Sequence, residues 1–128
     1  MICDTDVMID YWDVKQSRHL DAKKTLENEI ELDQIILSAI TKMELMMGAV
    51  NKTELASINK KLERFNISLL NNDITLEAFK LIEKYKLSHG LSLPDALIAS
   101  TALITELELF TYNLKDYKYI SGIKLYKP

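Results

Sequence analysis

The chain is poor in cysteine, proline and glycine, and each scarcity closes off a class of structure. Cys3 is the single cysteine among 128 residues, so no internal disulfide can form, which suits a reducing cytoplasm. It lies inside the first apolar run and reads as a small buried hydrophobe. Two prolines and three glycines leave little for flexible linkers, and no Gly-rich phosphate-cradling loop is present. No apolar run approaches the roughly 20 residues of a membrane-spanning helix. The N-terminus has no basic segment followed by a long apolar stretch, so no secretory signal is expected. Positive charge is not in excess either: 16 Lys and Arg against 19 Asp and Glu give a net charge of −3. That argues against coating nucleic acid through bulk charge. It does not exclude a nuclease, because bound cations invert the local potential of an acidic cluster. His19 and His89 have no partner at zinc-ligand spacing, and there is no serine-nucleophile motif.

What is present is an ordinary globular composition, 48% hydrophobic and 27% charged. The length predicts one domain over residues 1–128, able to bury about two-thirds of its unfolded surface. Met1-Ile2-Cys3 reads as a buried strand. Helical spacing follows through Val7, Ile9, Tyr11 and Trp12, and again over residues 17–30. Gln34-Ile35-Ile36-Leu37 predicts a second strand, with Ser38 capping a helix to about Val50. Residues 53–65 are amphipathic. Ile67 to Leu70 predicts a third strand, and Asp73 reads as the cap of a long helix that stops at Gly90. Ser92-Leu93-Pro94-Asp95 opens an apolar helix ending near Glu106. Leu107 to Thr111 predicts a fourth strand, and Ile123 to Tyr126 a short fifth. Strands separated by helices imply a three-layer α/β/α sandwich around a mostly parallel sheet of four or five strands.

Four acids carry the functional argument: Asp4, Glu44, Asp95 and Asp116. In an open parallel sheet, ligands bind beyond the carboxyl ends of the strands. Asp4 ends strand one, Glu44 lies in the second turn after strand two, and Asp116 follows strand four. Asp95 joins them only if its helix begins at the same edge. Each has a plain alternative, such as a helix-start acid, a solvent-facing residue or a turn. Glu44 among Met43, Leu45, Met46 and Met47, and Asp95 among Leu93, Ala96, Leu97 and Ile98, sit in apolar surroundings that are costly for an unpaired acid. Asp6 is an outer candidate, whereas Asp10 and Asp13 read as solvated. Lys42, Arg64, Lys115 and Lys118 could touch a phosphate backbone and otherwise read as surface charge.

The segments Ile2-Cys3-Asp4-Thr5-Asp6-Val7, Ser38 to Gly48, Leu93 to Ala99 and Phe110 to Tyr117, in this order and spacing, together resemble the PIN domain, and within it the VapC-type toxins of toxin–antitoxin pairs. The resemblance implies that Asp4, Glu44, Asp95 and Asp116 bind Mg²⁺ or Mn²⁺ and support RNA hydrolysis. It implies supporting roles for Thr5 and Thr41, and a role for Asn113 shared with Asp116. Thr111 is a further supporting candidate at the end of strand four. Tyr117 stands where Phe is common, a change expected to be harmless. The resemblance further implies a homodimer, a cognate antitoxin whose tail enters the active-site groove, and a cytoplasmic location without membrane contact. Met43, Met46 and Met47 read either as core or as part of that groove. Two other readings stay open. A small-molecule phosphatase or phosphotransfer protein would use Thr111 and Lys115 on a phosphate, and a PIN-like binding module would be catalytically silent.

Overall fold

A computed structural model describes all 128 residues. Four strands, β1 (Ile2–Cys3), β2 (Ile36–Ser38), β3 (Asn66–Ser68) and β4 (Leu109–Phe110), form one parallel sheet in the order β3-β2-β1-β4. Six helices surround it: α1 (Thr5–Trp12), α2 (His19–Lys24), α3 (Ala39–Met47), α4 (Lys52–Leu62), α5 (Asn72–His89) and α6 (Leu93–Thr105).

The strands are short, yet their pleat decides the layering. Successive side chains point to opposite faces. Ile2 and Leu109 enter a core built with Leu81, Tyr85, Ile98, Ala102 and Tyr117. Their neighbours Cys3 and Phe110 enter a second core with Val7, Met8, Leu26, Leu45 and Leu62. α5 and α6 therefore cover one face, and α1 to α4 the other. Burying a side chain such as Ile98 or Leu37 fully, as both are here, contributes about 2 kcal/mol each. The near-uniform apolarity of α6 follows from its position: Ala96, Ile98, Ala99, Ser100, Thr101 and Ala102 are all buried, and the small residues allow close approach. Thr101 satisfies its hydroxyl on the Leu97 carbonyl at 2.7 Å.

Strand order reverses at β1, from β2 and β3 on one side to β4 on the other. A crevice at the carboxyl ends of β1 and β4 is where such a sheet binds ligands. Gly90, in the left-handed region at φ 69, ends α5 and turns the chain directly into α6.

Several expected boundaries move. The helix expected over 17–30 starts at His19 and changes to π geometry at Thr25–Ile30, so its backbone bonds are re-spaced. Gln34 belongs to a 3-10 turn (Leu32–Gln34) rather than to the strand. β3 stops at Ser68, leaving Leu69 and Leu70 exposed. The cap of α5 is Asn71, whose Oδ1 accepts from Ile74 N at 2.9 Å, not Asp73, which lies in the first turn. Asn and Asp are nearly equivalent caps, so backbone placement decided between them. The expected fifth strand reduces to a single parallel bridge between Leu109 and Leu125. Cys3 is free and fully buried. Burial pushes its thiol up to about 12, which keeps it unreactive.

Candidate active site

The local chain chemistry places the acids before any tertiary contact does. Asp4 is the N-cap of α1, its Oδ1 accepting from Thr5 N at 2.7 Å. Ser38 ends β2 and caps α3, setting Glu44 in the second turn. Ser92 caps α6 by accepting from Asp95 N at 3.3 Å, with Pro94 in the first turn. Asp116 closes the 3-10 turn Leu114–Asp116 just beyond β4.

Tertiary contacts then join these segments. The Thr111 hydroxyl, at the end of β4, donates to Asp4 Oδ2 at 2.8 Å across the switch between β1 and β4. It also accepts from Asn113 N at 3.0 Å. The Thr5 hydroxyl donates to Glu44 Oε1 at 2.8 Å and lies 3.1 Å from the Thr41 hydroxyl, tying α1 to α3. The Tyr117 hydroxyl donates to Asp95 Oδ1 at 2.9 Å, which answers the geometric question left by the sequence: α6 does begin at this edge.

The electrostatics is one of acids without counter-charge. Asp4 is 5% exposed. Burial and then the neighbouring Asp6 push its carboxyl up to about 7, with Asp95 adding to the rise against hydrogen bonds from Thr111 and Thr5. Asp95 is also raised, first by burial and further by Asp116 and Glu44, while the Tyr117 hydrogen bond opposes the shift. None of Asp4, Glu44, Asp95 or Asp116 takes part in an ion pair. No group of three or more His, Cys, Asp or Glu side chains is arranged closely enough to hold a metal ion as the side chains stand. Carboxylates that raise one another's proton affinity and lack a cationic partner suit a hard divalent cation, which prefers oxygen ligands.

The family profile described as PIN domain matches residues 1–120. The chain belongs to the PIN domain family. It is 30% identical over 86 residues to Ribonuclease VapC19 of Mycobacterium tuberculosis, covering 66% of this chain and 68% of that relative. It superposes on a toxin–antitoxin complex from Klebsiella pneumoniae with a TM-score of 0.76 and 35% identity, covering 99% of this chain and 98% of the other. The DNA-bound VapBC from Salmonella typhimurium shares the fold at a TM-score of 0.77 and 21% identity, over 98% and 95% of the two chains.

Within this PIN chain, the supporting residues divide by partner. Asp6 faces the loop after β4: its Oδ2 accepts from Tyr112 N and Asn113 Nδ2, both at 3.1 Å. Burial raises its carboxyl against those bonds. Asn113 thus belongs to Asp6, whereas Asp116 acts on Asp95 through its charge. Asp10, expected in solvent, is buried and paired with Arg18 Nε at 2.8 Å. The Arg18 guanidinium also lies 4.4 Å from the centre of the Tyr112 ring. Sequence gave no sign of this pair, because its eight-residue separation crosses a turn. Arg64 is held by Asp33 at 2.7 Å. Lys115 and Lys118 are exposed, and Lys42 is half-buried. Met46 packs into the core, but Met47 is 85% exposed and Met43 50%, so the methionines are not all core.

Proposed function

We propose that this chain is a Mg²⁺- or Mn²⁺-dependent endoribonuclease, the toxin of a toxin–antitoxin pair. The observation that carries this reading is that Asp95 lies within charge range of Asp4, Glu44 and Asp116, all from separate segments, with no cationic partner among them. The named relatives support the same class of activity and partner.

A bound divalent ion supplies an activated water and neutralises charge on the phosphoryl oxygens. Asp4, the one buried acid of the four, and Asp95, whose carboxyl burial also raises, are the central ligands in this reading. Thr5 N and the Thr111 hydroxyl fix the Asp4 carboxylate from both ends. Glu44, oriented by Thr5, binds the ion or aligns the attacking water. Asp116 completes the acidic rim beside Asp95. The Asp6 bonds to Tyr112 and Asn113 hold the β4 loop so that Thr111 and Asp116 keep their places. The phosphatase alternative is less well supported. The Thr111 hydroxyl is committed to Asp4 and Asn113, and Lys115 points into solvent.

An antitoxin partner and a homodimer belong to the same proposal. No helix is long and apolar enough to cross a membrane. The test is Mg²⁺- or Mn²⁺-dependent cleavage of total RNA by the wild type and by Asp95→Asn. Activity should fall by orders of magnitude in the variant while circular dichroism is unchanged. Full activity in Asp95→Asn would end the assignment.

A further inference from the structure

Tyr117 is fully buried and is the largest side chain in the molecule with no exposure. Its ring packs in the core beneath α6, with Ile2, Ala99 and Leu109 in the same cluster. A Phe ring would fill that volume equally well, so packing does not explain the hydroxyl. A buried hydroxyl without a partner is destabilising, because it loses its hydrogen bonds to water and gains none. Here the hydroxyl does have a partner, and it is a carboxylate: Asp95 Oδ1 at 2.9 Å. Asp95 otherwise stands in the first turn of α6, only half-buried, where its side chain has rotamers open to it.

We propose that Tyr117 is a positioning residue, whose buried hydroxyl holds Asp95 Oδ1 and so presents Oδ2 to the cation. The inference rests on the metal-dependent reading above. The two groups constrain each other. If Asp95 turns away, the Tyr117 hydroxyl loses its 2.9 Å acceptor and keeps only the neighbouring Asp4 carboxylate. If the hydroxyl is removed, Asp95 loses its one tertiary hydrogen bond and keeps only local support from Ser92. Outer partners of metal-binding carboxylates typically change metal affinity by about 10- to 100-fold when removed. The hydroxyl of Tyr117 therefore has a use beyond the ring that carries it.

The experiment is calorimetric titration of Mn²⁺ and Mg²⁺ into the full chain, wild type and Tyr117→Phe, with RNA cleavage measured in parallel. Tyr117→Phe should keep its circular dichroism spectrum and bind Mn²⁺ about tenfold more weakly. A purely structural role for the hydroxyl would change thermal stability without changing metal affinity. Affinity within twofold of wild type in a folded Tyr117→Phe overturns the proposal. Should that variant fail to fold, protein carrying 3-fluorotyrosine, a stronger hydrogen-bond donor, at position 117 alone takes its place. A changed Mn²⁺ affinity then supports the proposal and an unchanged one overturns it. Wild-type protein that binds neither metal and cuts no RNA overturns the ribonuclease reading and this inference together. Metal binding by the wild type with no effect of the substitutions overturns this inference alone.

Discussion

Replacing Asp4 with Asn tests the electrostatic account of the site without any substrate. In the folded chain Asp4 is raised from 3.8 to about 7 by burial and by Asp6. A carboxyl raised on folding binds its proton more tightly in the native than in the unfolded state. Its stabilising contribution is full below about pH 4 and is lost as pH rises through about 7. The ceiling on that loss is on the order of 4 kcal/mol. Asn removes the charge and so removes the loss. It keeps an oxygen for Thr5 N, but its amide group must face the Thr111 hydroxyl, which already accepts from Asn113 N. The Thr111 proton then needs a new acceptor, at a cost of about 1 to 2 kcal/mol. Without metal, Asp4→Asn should be less stable than wild type at pH 4.5 by at most about 1 kcal/mol, because the wild type has by then lost about 1 kcal/mol of the Asp4 contribution. At pH 8 it should be more stable by about 2 kcal/mol, or roughly 5 to 8 °C in Tm for a chain of this size. Thermal unfolding in EDTA across that range reads both ends, and added Mg²⁺ should recover the wild type at pH 8. Parallel pH curves for the two proteins would refute the argument that Asp4 is a buried, mutually repelled acid.

Two further substitutions address the frame around the site. Arg18→Ala strands the buried Asp10 carboxylate, and urea unfolding should show a loss of about 1 to 2 kcal/mol, kept modest by the exposure of Arg18. Gly90→Ala meets no atom within 4 Å but must adopt φ +69. It should cost about 1 kcal/mol through backbone strain alone, visible as a lower Tm with an unchanged denaturant slope.

The local pattern of this chain carried a good deal of its structure. The apolar runs ending at Cys3, Leu37 and Phe110, the helix-start chemistry at Ser38 and Ser92, and the stop at Gly90 are short-range signals, and all lie in or at the ends of the expected elements. The placement of Asp4, Glu44 and Asp116 at one sheet edge followed from strand order in the chain. What local pattern could not supply were facts of a few ångströms between distant segments. The Asp10–Arg18 pair contradicts an expectation of solvation, because burial depends on what packs over a residue rather than on its own spacing. The reduction of the fifth strand to one bridge depends on how the C-terminal segment meets β4.

The type and order of the residues, taken alone, determined a parallel α/β chain with acids at the strand ends, because hydrophobic period and capping act over a few residues. Only the tertiary structure decided that α6 starts at the edge where β1 and β4 end. Only there do the Thr111 bond to Asp4 and the Tyr117 bond to Asp95 become visible, since each links residues 107 and 22 positions apart. Carboxylates that are unremarkable in sequence acquire their raised proton affinity from being brought together and buried, and that is a property of the fold.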